Sequence, residues 1–373
     1  MLTTDKLSAD EARACALHAQ GLLDADGPNT VEGVLRRIGA VQLDTIAVLA
    51  RSHELVPYAR LGAIGRKTVE DAYWSTDGVR AFEYWAHAAC LLPIEAWPYF
   101  SFRRKAERAK REAKPRASAE AVDRVRTMLH AGPISAADLG ASRVAGGWSS
   151  PSEAKSAAET LYWTGEAACV TRSGWKRVYH LTEHVIPPDL LATRPSDEDC
   201  HIHLVRTAVR AMGVATTRDI AGYFRQRLAD VSAALHTAPD LTQVEVEGWS
   251  DPAWTTADGL EAAHTHGATP SRVVLLSPFD PLVWDRERTR RIFGLALQLE
   301  AYKPKEQRVN GYFTMPVLAG GRLVGSLDPS REGTTLAAGH LRLLDTSARD
   351  FAEQALHEAA AWVGAGTVRI EPT

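Results

Sequence analysis

Gln42 and Asp44 flank a single apolar residue in the run Ile38-Gly39-Ala40-Val41-Gln42-Leu43-Asp44-Thr45. On a helix, residues two apart point about 200° away from each other, whereas in an extended segment they share one face. A carboxylate beside a carboxamide on one face can hold a water between them. Taken alone, a Gln-x-Asp pair is usually surface or capping chemistry. Other polar clusters carry less. Cys200-His201-Ile202-His203 opens a predicted helix on which the two histidines diverge, and no partner ligands are evident, so it reads as structural rather than as a metal site. Glu83 and His87 lie four apart in the aromatic-rich segment Phe82-Glu83-Tyr84-Trp85-Ala86-His87-Ala88, which reads as a helix carrying an i, i+4 pair. Cys15, Cys90, Cys169 and Cys200 fit no disulfide or zinc spacing and read as reduced core thiols. No metal or cofactor is implied.

The elements that position these residues repeat along the chain. Residues 120–129 read as a helix, Ser135 caps a short helix over 134–139, and Ser149-Ser150-Pro151 opens a longer one to about Trp163. Strands over 168–172 and 175–179 follow, turning at Ser173-Gly174. Helix, short helix, longer helix and hairpin make a winged helix-turn-helix. The order recurs with helices over 199–212, 215–221 and 225–236 and a strand over 241–246. A looser copy begins with helices over 8–23 and 30–38. Residues 103–111 form a basic connector helix, with phosphate tracking as the alternative. From Arg272 the pattern turns to apolar strands, with a hairpin at Gly320-Gly321 and a last helix over 347–363. The predicted fold is α+β: three tandem winged helix-turn-helix units and a C-terminal β-barrel-like domain, C-shaped around a concave face. The expected units are 1–102, 103–195, 196–250 and 251–373.

The chain has 373 residues, 45% hydrophobic and 24% charged, with a net charge of −3. That is a globular composition without any uncharged apolar run near the roughly 18 residues a membrane span needs. The first residues lack a secretory apolar stretch, so a cytoplasmic, nucleoid-associated protein is expected. The slight negative charge argues against a general nucleic-acid coat but not against DNA binding, which depends on where positive charge lies.

Val41-Gln42-Leu43-Asp44-Thr45, Ala50-Arg51-Ser52-His53, Tyr58-Ala59-Arg60, the Phe82–Ala88 segment with Leu91-Leu92-Pro93, Leu276-Ser277-Pro278-Phe279-Asp280-Pro281-Leu282-Val283-Trp284-Asp285-Arg286, Phe293-Gly294 and Gly311-Tyr312-Phe313 together resemble the AlkZ/YcaQ superfamily of DNA glycosylases, in order and over nearly the whole chain. The resemblance implies the tandem winged helices around a DNA-binding face and removal of N7-alkylated purines, with unhooking of interstrand crosslinks in some members. Gln42-Leu43-Asp44 matches the Gln-Φ-Asp motif of the YcaQ-like branch, where Φ is apolar. Leu295-Ala296-Leu297 and Gln307-Arg308 depart from the aromatic and the Lys-Arg pair that relatives often carry there. The motif implies Asp44 as the catalytic carboxylate and Gln42 as the residue orienting water, and its lack of lysine implies no Schiff-base lyase step.

Candidate DNA contacts are Arg51 and Arg60, whose guanidinium forks suit phosphate, and His53, toward the lesion or a phosphate or as a structural hydrogen-bonding residue. Trp175, Lys176 and Arg177 on the middle wing are candidates to follow a groove, and Arg286 and Arg288 in the alternating run 285–291 to line a DNA channel. The expected partner is double-stranded DNA with alkylated or crosslinked purines, bound by a monomer. Two other functions fit the repeats: a non-enzymatic winged-helix regulator or architectural DNA binder, and a protein-interaction scaffold. The first leaves the Gln42-Leu43-Asp44 segment without a role.

Overall fold

The computed structural model describes residues 5–23, 27–74, 78–135, 137–139, 153–265 and 272–370. The motif-bearing unit starts where the Thr30 side chain accepts a hydrogen bond from the Gly33 backbone and opens the Val31–Ile38 helix. Gly39 ends that helix with φ +70°, a left-handed conformation natural only to glycine, and a Cβ there would meet Thr207 Cγ2 at 2.6 Å. The chain then extends through the strand Val41–Gln42. Helices Ser52–Leu61 and Arg66–Tyr73 follow, and then strands Ala81–Trp85 and Ala89–Pro93. In the sheet, Ala89–Pro93 lies between the other two strands, with Gln42 opposite Cys90 and Glu83 opposite Leu91.

Residues 82–88 are therefore not a helix. Phe82 and Tyr84 point into the core beneath Trp97 and Phe100, and Glu83 and Trp85 share the opposite face, the period of two of a strand.

The same order of elements recurs twice. In the middle unit the helix Ala119–Ala131 is capped by Ser118. Ile134 bridges to Tyr179, and Ser135 accepts from the Ala137 and Asp138 backbones. The helix Glu153–Thr164 leads into strands Ala167–Ser173 and Lys176–Leu181. Ser149-Ser150-Pro151, expected to open that helix, lie outside the described residues. Ser173 pairs with Lys176, so the turn is Gly174-Trp175, with φ +54° and +63°. Trp175 is thus a turn residue and not the first residue of a strand.

In the third unit the helix Asp197–Met212 precedes strand Val214–Thr216. Thr216 and Asp219 form a reciprocal cap on the helix Thr217–Tyr223. The helix Leu228–Thr237 and strands Thr242–Val246 and Ala253–Thr255 complete the unit. Its sheet also takes up the strand Asp5–Leu7, parallel to Thr242–Val246. The first strand of the chain therefore pairs outside the expected 1–102 unit, and the third unit's last strand runs past residue 250.

The C-terminal region is a five-stranded sheet in the order Val274–Leu275, Met315–Ala319, Arg322–Glu332, Thr335–Leu343, Thr367–Ile370. Bulges after Val317 and Ser326 bend it into a half-barrel, and the helix Arg349–Trp362 packs its alanine face, Ala352, Ala355 and Ala359, against the concave side. Among the described residues no helix is long and apolar enough to cross a membrane. All four cysteines are buried and free.

Candidate active site and nucleic-acid interface

The segment 41–44 alternates buried and half-buried positions, with Val41 and Leu43 in the core. Gln42 and Asp44 accordingly share the outer face. The Asp44 carboxylate is fixed by two backbone donors. Ile46 N–H donates to Oδ1 at 2.7 Å, and Ser52 N–H, at the start of the Ser52–Leu61 helix, donates to Oδ2 at 3.3 Å. Burial pushes its pKa up from 3.8 to about 6, although the Ile46 and Ser52 hydrogen bonds and the charge of Arg51 pull the other way. The result is a positioned carboxylate that is ionised at neutral pH and poorly solvated. Gln42's side chain has no hydrogen-bond partner among the described residues, which leaves its amide available to a water.

Arg51 precedes the same helix. Its guanidinium lies 4.2 Å over the Trp175 ring, and that of Arg172 lies 4.6 Å from the same ring. His53 stacks on Trp175, centroids 5.0 Å apart at 28°. The middle unit's turn is thus seated on the motif-bearing unit, and Glu83 holds it there. Glu83 receives Arg172 Nε and Nη2, each at 2.7 Å, and Arg177 Nε at 3.1 Å. Burial pushes the Glu83 carboxyl up, but the hydrogen bonds and charges of the two arginines outweigh it and leave the pKa lowered.

Several candidate DNA contacts are placed elsewhere. Arg60 is fully buried and forks onto Asp280 at 2.7 and 3.0 Å while donating to Gln20 and Val56, so it cannot meet a phosphate. Arg288 is buried and donates to the carbonyls of Met212 and Val214, an interior brace instead of a channel wall. Arg286 is half-buried and spends its guanidinium on Val283 and Pro278 carbonyls. Arg177 is committed to Glu83 and Glu159. His53 is fully buried and its pKa falls to about 3, through burial and then the charges of Arg51, Arg172 and Arg66, so it offers phosphate no cation. Neither of its ring nitrogens has a hydrogen-bond partner among the described residues, so it is no structural hydrogen-bonding residue either.

Lys176 stays exposed beside the turn, and Trp175 and Arg51 are half-buried at the motif. In the Ser101–Ala113 helix, Arg103 donates to Trp85 and Phe224 carbonyls, Arg104 is buried against Trp97, and Lys110 and Arg111 pair with Glu107. Only Arg104 of this helix is buried, and Lys105, Arg108 and Lys110 stay exposed on it. His201 contacts Gln226 and His203 stacks on Tyr99.

The AlkZ-like DNA glycosylase family matches residues 35–365, from the end of the helix before the motif to the C-terminal helix. The chain belongs to that family. It is a DNA glycosylase, and DNA is its substrate. The solved structure of the Streptomyces sahachiroi DNA glycosylase AlkZ shares the fold at a TM-score of 0.66 and 18% identity, covering 98% of this chain and 99% of that one. The sequence reading took Glu83 for half of a helical pair and did not mark Arg172 or Trp74 as residues of the site. The alternation of Phe82 and Tyr84 with Glu83 and Trp85 is the signal for the first.

Proposed function

We propose that this glycosylase is monofunctional and hydrolyses the N-glycosidic bond of N7-alkylated guanine in duplex DNA, as a monoadduct and in interstrand crosslinks. The observation that carries the reading is the Asp44 carboxylate, fixed by two backbone donors beside the unpaired Gln42 amide. N7-alkylation places a positive charge on the base, which can then leave without prior protonation. The sugar left behind has oxocarbenium character. Asp44 faces that charge as a fixed anion and takes the proton of the attacking water, which Gln42 orients. A carboxylate with a pKa near 6 is a stronger base than a solvated one and is still ionised at pH 7.

In this reading the three helix-and-hairpin units are winged helices in tandem around a concave DNA face. Each unit's own first extended segment lies beside its last strand, Val41–Gln42 beside Ala89–Pro93, Ile134 beside Tyr179 and Val214–Thr216 beside Ala253–Thr255, which supports it. Arg51, Trp175 and Lys176 meet DNA near the motif, and the protein acts as a monomer. The test is a duplex with one N7-methylguanine, assayed for free base and an alkali-labile abasic site, with Asp44→Asn as control. Release by the wild type alone supports the reading. Tight binding without release from this lesion or from bulkier and crosslinked ones refutes the N7-alkylguanine reading in favour of a glycosylase for another damaged base.

A further inference from the structure

Around His53, four buried polar atoms lack any hydrogen-bond partner among the described residues: both ring nitrogens of His53, Nε1 of Trp74 and Nε of Arg51. Buried polar groups are nearly always paired, and unpaired ones gathered at one place call for a ligand that pairs them. His53 links them, with its ring 5.4 Å from that of Trp74 and 5.0 Å from that of Trp175, on which the Arg51 guanidinium lies. What fills the space is the Trp175 indole, stacked on His53 and edge-on to Trp74 at 87°. An indole brings a flat fused ring but one N–H donor and no acceptor, so it meets the shape of the site and not its polar demand.

Trp175 also sits at φ +63°, strained for a residue with a Cβ, in a two-residue turn that glycine would fill without cost. The turn's backbone is held from both sides, because Arg172 and Arg177 are both bonded to Glu83. Only the Trp175 side chain is left to move.

We infer that Trp175 is a built-in stand-in for a purine. The space bounded by His53, Trp74 and Arg51 is a seat for the damaged base, a six–five fused ring of the same outline that carries the acceptors and donors the indole lacks. The indole rotates out when the base enters. Arg51 and Arg172 beside the seat favour the neutral released base over the cationic alkylated one, which assists its departure. The identity of the base rests on the proposed glycosylase reading, whereas the existence of the seat does not.

Titration calorimetry of the full chain with free 7-methylguanine and with 1-methylthymine tests this, comparing wild type with Trp175→Gly, whose new residue suits the positive φ. The expected result is purine binding tightened about tenfold or more in the variant, with no gain for the pyrimidine. His53→Ala on the Trp175→Gly background should remove the gain. Equal affinity of the two proteins for the purine, or an equal gain for the pyrimidine, overturns the proposal. Trp175→Asn, also at home at positive φ, repeats the test should the glycine variant not fold. Base release from an N7-methylguanine duplex is measured alongside. Release without any purine gain defeats the seat and keeps the function, and a purine gain without release does the reverse.

Discussion

The Asp44 carboxylate accepts its second hydrogen bond, 3.3 Å long, from the backbone N–H of Ser52, the first residue of the helix that also carries His53. The proposed base and the wall of the proposed purine seat therefore share one rigid element. Asp44→Asn keeps the shape and removes the charge. It should lower single-turnover base release by about a hundred- to ten-thousand-fold while leaving affinity for undamaged duplex within about twofold. Equal losses in the two measurements would end the assignment of Asp44 as the base.

The raised pKa of Asp44 gives the pH dependence a definite sign. Base release should be level above pH 7 and fall through about 6, losing about tenfold per pH unit below it. Stability runs the other way. A carboxyl whose pKa is higher folded than unfolded binds its proton more tightly in the fold, so the fold bears a cost above pH 6 that is relieved as the pH falls toward 3.8. The stability of Asp44→Asn relative to wild type should consequently improve between about pH 4 and pH 8, by no more than roughly 3 kcal/mol, on top of a pH-independent loss of one of the two backbone hydrogen bonds. Denaturant unfolding at both pH values measures it, and a relative stability that does not change with pH contradicts the buried-charge account.

Much of the scaffold was readable locally because its signals are local. Thr30, Ser118 and the Thr216–Asp219 pair cap the helices expected near them, and the alternation of Val41 and Leu43 with Gln42 and Asp44 is that of an extended segment. The misreadings have physical causes. Glu83 and His87 are four apart and mimic a helical pair, yet the aromatic residues around Glu83 alternate as in a strand. Arg60 looks like a phosphate ligand until Asp280, 220 residues away, neutralises it in the core. The parallel pairing of Asp5–Leu7 with Thr242–Val246 is likewise a property of the folded chain and of neither segment alone.

That buried Arg60–Asp280 pair, braced by Gln20, joins the Ser52–Leu61 helix to the turn that follows the strand Val274–Leu275. Asp280→Asn leaves a guanidinium buried without its counter-charge, which should cost about 3–5 kcal/mol. Arg60→Met with Asp280→Leu should recover most of the loss, because apolar replacement of a whole buried pair is often neutral. At temperatures where each variant is folded, the salt dependence of DNA binding should match wild type. A shallower salt slope in the double variant would return Arg60 to the DNA interface.

Lys176 stands exposed beside the turn that touches the proposed site. If it neutralises one phosphate, Lys176→Ala should weaken binding of damaged and undamaged duplex alike and reduce the slope of log affinity against log salt by about 0.9. Arg288→Met, by contrast, should lower the melting temperature and leave that slope unchanged, since the guanidinium it removes is spent on the Met212 and Val214 carbonyls. Binding isotherms at several salt concentrations separate the two.

Glu83 decides whether the middle hairpin behaves as part of the site or as a separate wing. Its carboxylate is almost wholly buried and carries both Arg172 and Arg177, which flank the turn that presents Trp175. Glu83→Gln is nearly isosteric, so packing beneath it survives, but two half-buried guanidinium groups lose the anion they share. The expected cost is about 3 kcal/mol, the low end for a broken buried pair because the amide still accepts one hydrogen bond. The loss should be local first. Amide hydrogen exchange should quicken across Ala167–Ser173 and Lys176–Leu181 before it changes in the Ser52–Leu61 helix, because the hairpin then keeps the Cys169 contact at Glu83 and the ring contacts of Trp175 but loses its ion pairs. Base release should drop even at temperatures far below the melt, since a loosened turn no longer keeps the Arg172 charge beside the seat, where it favours the neutral released base. A variant that melts and exchanges like wild type would show that stacking alone seats the hairpin and that the buried charges are dispensable.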